Sequence, residues 1–279
     1  MNKIIPFYQI ISCFFFALLG LQIKLQLEES SIEDIVFYRS LFGTLILFFF
    51  IIFRKDNIKN VFKTKNFNIH LTRSIFGILA MFFGYKSLIY LSLAQASTIG
   101  FTKVFFTCII SSIIFMEKLK ISILFSIILG FLGIFLITNP DQINSKLGLY
   151  MSLFSALCVS GGIISISYLS KKDKTLTILL YHSILSTIIF FTIFNNKIDI
   201  TLSEVTIKYI LLTFTALAGQ FFNTESYKND KTQKVVILSY SRIIFSTILG
   251  FLFFNDKVSL INIFGIFIVI LTTFVVQKK

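Results

Sequence analysis

Apolar runs follow one another along the chain with only short breaks between them. They fall at about 4–24, 33–53, 69–91, 94–116, 121–138, 147–169, 176–194, 205–227, 232–254 and 258–276. Each is roughly 18–23 residues long, enough for a helix to cross about 30 Å of hydrocarbon. Apolar residues make up 56% of the chain and charged residues 14%, against about 45–50% and 25% in ordinary soluble domains. A soluble domain cannot bury that much apolar surface. The expected fold is an all-α membrane protein with ten transmembrane helices and little room for a soluble domain.

The clearest break is the turn-rich NPDQINSK stretch, Asn139 to Lys146. It predicts a first five-helix unit over 1–138, a linker over 139–146 and a second five-helix unit over 147–279. Lys and Arg in the connections divide sixteen to four between the two sides. Cytoplasmic loops carry the basic excess, so both termini are expected in the cytoplasm. That rule also accounts for the net charge of +13 without nucleic acid. The first residues resemble a signal peptide in charge and hydrophobicity. They lack a small-x-small cleavage site, and the apolar stretch continues to about Ile23, which predicts a first spanning helix. Since five is odd, the second unit must enter the membrane in the opposite sense to the first.

The two halves echo each other. Gly100, Lys103, Thr107 and Ser111 share one helix face in the fourth run. At 139 positions further on stand Ser239, Arg242, Ser246 and Gly250. The exits FMEKL (Phe115–Leu119) and FNDKV (Phe254–Val258) match in residue type. FYRS (Phe37–Ser40) parallels LYHS (Leu180–Ser183), which aligns Arg39 with His182. Gly77, Ala80 and Gly84 correspond to Ala216, Gly219 and Asn223, small or polar positions that suit close helix packing. The reading is two inverted repeats.

Lys103 and Arg242 stand about halfway along their runs, where an ammonium or guanidinium must face protein or a water-filled cavity. Inverted repeats build many secondary transporters, with the substrate bound near mid-membrane at the repeat interface. Acids are missing at that depth: Glu225, Glu117 and Asp256 all stand near run ends. A cavity so lined is electropositive and favours an anion or a carboxylate-bearing zwitterion. The candidate substrate-binding residues are Lys103 and Arg242, with Arg39 as gate or third contact. Thr107 and Ser246 share the faces of the two central cations. Tyr85 and Tyr240 offer hydrogen bonds and stacking, Gln220 and Asn223 are deep and polar, and His182 aligns with Arg39. Arg73 reads as a cytoplasmic boundary residue, and Lys24 and Lys86 as side chains reaching the outer surface. Cys13, Cys108 and Cys158 lie in apolar runs and read as small core residues, with no metal or redox role. No GxSxG, HExxH or Walker signature is present, so no enzyme activity and no cofactor are expected, and transport would be secondary.

The segments FYRSLFGTL (Phe37–Leu45), TRSIFGILAMFFGYKSLIYLSLAQAS (Thr72–Ser97), FTKVFFTCIISSIIFMEKL (Phe101–Leu119) and YSRIIFSTILGFLFFNDKV (Tyr240–Val258) resemble the EamA family of the drug/metabolite transporter superfamily. The resemblance covers essentially the whole chain. It implies two five-span halves with both termini inside, an aromatic-Arg start to span two at Arg39, and acids closing spans four and nine at Glu117 and Asp256. Many relatives have proline just after the position of Lys103, where this chain has Val104, which implies a straighter fourth span. Small multidrug relatives use a Glu in span one; this chain has no acid there, which disfavours efflux of cationic drugs by that route. The resemblance implies transport of amino acids, riboflavin, S-adenosylmethionine or drugs.

The sequence thus reads as a secondary transporter of a small polar metabolite, anionic or carboxylate-bearing, working by alternating access in a bacterial inner membrane. The alternatives are a non-transporting membrane protein, such as a lipid-handling enzyme or scaffold, and a channel. The expected partners are a small-molecule substrate and membrane lipids, with a homodimer as a compatible assembly.

Overall fold

The structure is a computed structural model that describes residues 4–55, 58–91, 93–138, 145–198, 205–228, 230–254 and 260–277. The segment 139–144 of the expected linker and Asp256 lie outside the described residues. Every regular element among the described residues is helical. In order they are α1 (Ile4–Gln26), α2 (Ile32–Phe53), α3 (Ile58–Phe62), α4 (Phe67–Tyr90), α5 (Leu93–Gly100), α6 (Thr102–Ile114) and α7 (Ile121–Thr138). After these come α8 (Lys146–Leu169), α9 (Thr175–Phe194), α10 (Val205–Ser226), α11 (Thr232–Leu238), α12 (Arg242–Phe254) and α13 (Leu260–Gln277). A 3-10 turn, Ser239–Ser241, joins α11 to α12.

Among the described residues, seven helical stretches are long and apolar enough to cross a membrane, counting α5 with α6 and α11 with α12 as single stretches. The chain is a multi-pass membrane protein. α7 and α13 contain shorter apolar helices, and α10, which carries Gln220 and Asn223, stands outside both groups. Large side chains such as Phe53, Ile113, Phe125 and Phe264 point outward. Lipid tails are as apolar as Leu, so small residues rather than large ones bring helices together. α8 illustrates this, burying Ser152, Ser155, Ala156, Ser160, Gly162 and Ser167.

Helix starts follow local chemistry. The Ser31 side chain accepts the Asp34 N–H at 3.1 Å, and Glu33 and Asp34 place negative charge in the first turn of α2. Ser145 accepts the Gly148 N–H at 3.2 Å and opens α8.

The main contacts pair α1 with α10, α2 with α9, α4 with α8, α6 with α8 and α11, and α7 with α13. Ser12 donates to the Gly219 carbonyl at 2.9 Å, joining α1 to α10. Ser155 donates to the Ala80 carbonyl at 2.8 Å, joining α8 to α4. α7 and α13 meet at Gly133 and Gly265: a Cβ built on Gly265 would stand 2.6 Å from the Gly133 carbonyl oxygen.

The fourth apolar run is interrupted between α5 and α6, despite Val104 in place of proline. Phe101 N–H donates to both Ser97 O (3.0 Å) and Thr98 O (3.3 Å), and Val104 N–H reaches back only three residues, to Phe101 O at 3.0 Å. Thr102 Oγ1 also donates to Ile99 O at 2.6 Å. Side-chain competition for helix carbonyls tightens the turn without proline. The ninth run tightens at the equivalent place, where Ser239 and Ser241 donate to Val236 O (2.6 Å) and Leu238 O (2.8 Å).

Beyond α6, Met116 adopts a left-handed φ of 53°, and the chain reverses. Glu117 then accepts the first N–H groups of α11, from Thr232 at 3.0 Å and Gln233 at 3.2 Å. The acid that closes the fourth run therefore caps the ninth.

Candidate functional site

The helices enclose a cavity of about 300 Å3. One face of α4 forms a wall of it, because Arg73, Gly77, Ala80, Gly84 and Tyr85 recur at helical spacing. Of the residues singled out by sequence, Lys103, Arg242, Arg39, Tyr85, His182, Gln220 and Asn223 border the cavity. Tyr240, Thr107 and Ser246 do not. Tyr240 is buried against Gly130 and donates to the Ile127 carbonyl at 3.3 Å. Thr107 is fully buried, with no partner for its hydroxyl. Ser246 is half-buried on α12.

Arg73 joins this set from the supposed boundary. It is 6% exposed and borders the cavity, so its position corrects the assignment to a cytoplasmic anchor. Nη2 donates to Gln220 Oε1 at 3.4 Å, while Nε is buried without a partner. A Cβ on Gly77 would stand 2.3 Å from Arg73 Nη1 and 2.6 Å from His182 Cε1. The absence of a side chain at Gly77 is what lets the guanidinium and the imidazole occupy that wall together. The signal was in the sequence: Arg73 lies one turn before Gly77 on the face that continues to Gly84.

The other cations are held by soft partners. Arg39 Nη1 donates to the Tyr85 hydroxyl at 2.6 Å and lies against the Met81 sulfur. Lys103 Nζ is 5.3 Å from the centre of the Phe101 ring, and the Arg242 guanidinium 6.0 Å from that of Phe16. Ser160 donates to the Lys103 carbonyl at 3.0 Å, fixing α6 on α8. His182 Nδ1 lies 3.3 Å from Ser186 Oγ.

No carboxylate among the described residues borders the cavity. Nearby acids are engaged elsewhere. Glu225 pairs with Lys228 at 2.6 Å and takes the Thr175 hydroxyl, and Glu117 caps α11. Asp173 lies 2.8 Å from His70 Nε2 and accepts from Thr64 at 2.8 Å. Lys24 donates to the Leu88 carbonyl at 3.0 Å, an inward partner where a surface position was expected, and Lys86 lies 5.3 Å from the Phe82 ring centre. The four described cations that face this cavity, with no described carboxylate beside them, form a field that attracts anions.

Comparison with known proteins adds family and fold. The profile of the EamA-like transporter family matches residues 3–139 and 146–277. An uncharacterized transporter of Helicobacter pylori is 26% identical over 243 residues, covering 84% of this chain and 81% of the relative. The pseudopaline exporter CntI of Pseudomonas aeruginosa is 22% identical over 259 residues, covering 92% and 89%. Human solute carrier family 35 member G1 is 23% identical over 266 residues, covering 90% and 72%. One solved crystal structure superposes with a TM-score of 0.75 at 13% identity, over 99% of this chain and 96% of the other, a likeness of fold alone.

Proposed function

The chain belongs to the EamA-like transporter family, and from that premise we propose that it is a secondary transporter that moves a small anionic or carboxylate-bearing metabolite by alternating access. The observation that carries this reading is the cavity bordered by Arg39, Arg73, Lys103 and Arg242 with no described carboxylate beside them. The relatives are transporters by name, which supports transport over catalysis. The cations stand inside the bundle, not gathered at one interface as a lipid-handling enzyme would require.

The proposed architecture is ten spans in two inverted five-helix repeats, over 1–138 and 147–279. The helix contacts support it. Counting α5 with α6 and α11 with α12, α1–α10 pairs span one with eight and α4–α8 pairs span three with six. Exchanging the halves turns one pair into the other. Four with six (α6–α8) likewise exchanges with one with nine (α1–α12), while two with seven, four with nine and five with ten map onto themselves. The tightened turns at Phe101 and at Ser239–Ser241 support the same symmetry. The basic excess in the connections supports cytoplasmic termini and a bacterial inner-membrane location.

The test is a thermal-shift screen of the purified full-length protein against anionic, zwitterionic and cationic metabolites. A ligand that binds only the folded state adds about 2.7 kcal/mol at a hundred times its Kd. Stabilisation by anions or zwitterions that is lost in Lys103→Gln and Arg242→Gln supports the reading. Stabilisation by cations alone overturns it.

A further inference from the structure

We propose that the substrate carries two separate anionic groups, one held by Lys103 and Arg242 and the other by Arg39 and Arg73. This rests on the cavity being the substrate site and adds the number and placement of the substrate's charges.

The four cations are grouped, not spread evenly. Arg39 and Arg73 share neighbours: Arg39 borders a small recess with His182 and Gln220, and Arg73 donates to Gln220 and meets His182 at Gly77. Lys103 and Arg242 each follow by two residues the rings of Phe101 and Tyr240, which lie 5.7 Å apart. Tyr85, on the α4 wall, accepts from Arg39 at 2.6 Å and belongs to the Arg39–Arg73 group. The pairs also come from different elements: α6 and α12 supply the first, α2 and α4 the second. A single carboxylate has two oxygens and is matched by one guanidinium fork or by two adjacent cations. It cannot serve both pairs at once. A monoanion therefore leaves one pair without a counter-charge inside the bundle, where that is most costly.

A second observation points to a ligand at the Arg39–Arg73 pair. Arg73 Nε is a buried donor with no acceptor in the protein. Buried donors normally have one, and an anion between Arg39 and Arg73 supplies it. Gln220 and His182 stand beside this pair and orient the second group by hydrogen bonding. A cavity of about 300 Å3 is at the small end of metabolite sites. Two chemistries fit: a dicarboxylate, or a carboxylate joined to a phosphate by a short chain.

The experiment measures affinity by calorimetry on the detergent-purified full chain. The probes are hexanoate, glutarate, adipate and 3-phosphoglycerate. The expected result is that at least one doubly anionic probe binds tenfold or more tighter than hexanoate; adipate or glutarate against 3-phosphoglycerate then names the second group. Arg73→Gln is expected to lower the ratio of dianion to hexanoate affinity fivefold or more, and Arg73→Lys to retain part of it. Arg39→Gln gives the same readout from α2, should Arg73→Gln unfold. Equal binding of mono- and dianions, dependent on Lys103, overturns this proposal and leaves the anion-transport reading standing. Equal loss of both probe types in Arg73→Gln also overturns it. No binding by any anion overturns both.

Discussion

The rings of Phe101 and Tyr240 lie 5.7 Å apart at an interplanar angle of 58°. The two residues stand 139 positions apart in sequence, and each precedes a cavity cation, Lys103 or Arg242, by two residues. The tightened turns of the two halves therefore touch through their own equivalent side chains. The same ring packing therefore stands directly before both of these cavity cations.

Tyr240 belongs to this packing and not to the cavity. Tyr240→Phe keeps the ring against Phe101 and Gly130 and loses the hydrogen bond to the Ile127 carbonyl. A lost hydrogen bond of this kind costs about 1 kcal/mol. Thermal unfolding should show that small loss, and anion affinity should stay within twofold of the parent protein.

Gly77→Ala should behave in the opposite way. The added methyl group collides with Arg73 Nη1 and His182 Cε1, both ends of movable side chains, so the fold survives at a cost of about 1 kcal/mol. The guanidinium is displaced from the wall. Anion binding measured by calorimetry should weaken tenfold or more.

Glu117→Ala removes the acceptor for two N–H groups at the start of α11. Loss of a helix cap costs about 0.5–2 kcal/mol. Hydrogen exchange should accelerate first at Thr232 and Gln233, with Glu117→Gln intermediate because one carbonyl oxygen remains.

Asp173→Ala strips the partner from His70, which is buried, and frees the Thr64 hydroxyl. Leaving a buried polar group unpaired costs about 1–3 kcal/mol. Limited proteolysis should show faster cleavage between α2 and α4, where Tyr181 and Thr177 still hold Phe62 and Val61 by their carbonyls.

Gly265→Ala tests the approach of α7 to α13. Its Cβ meets the Gly133 carbonyl oxygen, a backbone atom that cannot step aside, so the helices must part. Overpacking of this kind costs about 1–3 kcal/mol. The melting temperature should fall while anion affinity is unchanged, since neither glycine borders the cavity.

Helix positions were legible because hydrocarbon imposes length and polarity on every span, and the apolar runs match the helices within a few residues. The repeat located Lys103 and Arg242 for the same reason: two equivalent cations had to face the interior together. Reach was less legible. Thr107 lies one turn from Lys103 on the same face, but its short hydroxyl ends within helix packing where the lysine stem continues into the cavity. Tyr240, two residues before Arg242, stands about 200° around a helix from it and so points toward α7. Arg73 was misread because a basic residue near a span end satisfies the positive-inside rule equally well. The small-residue face that runs from Arg73 through Gly77 to Gly84 was the clue, and His182 at Gly77 and the bond from Arg73 to Gln220 decide it.

The cavity, with no described carboxylate on its wall, also bears on the empty protein. Each of its four cations is repelled by its neighbour while no anion is present, so the arrangement that suits a ligand is one the unliganded fold tolerates at a cost. Neutralising one member of a pair should therefore raise the melting temperature of the empty protein even as it abolishes tight binding. The same balance makes the choice of buffer part of the biochemistry: on the anion-binding reading, citrate or phosphate should stabilise a preparation more than a buffer without small anions.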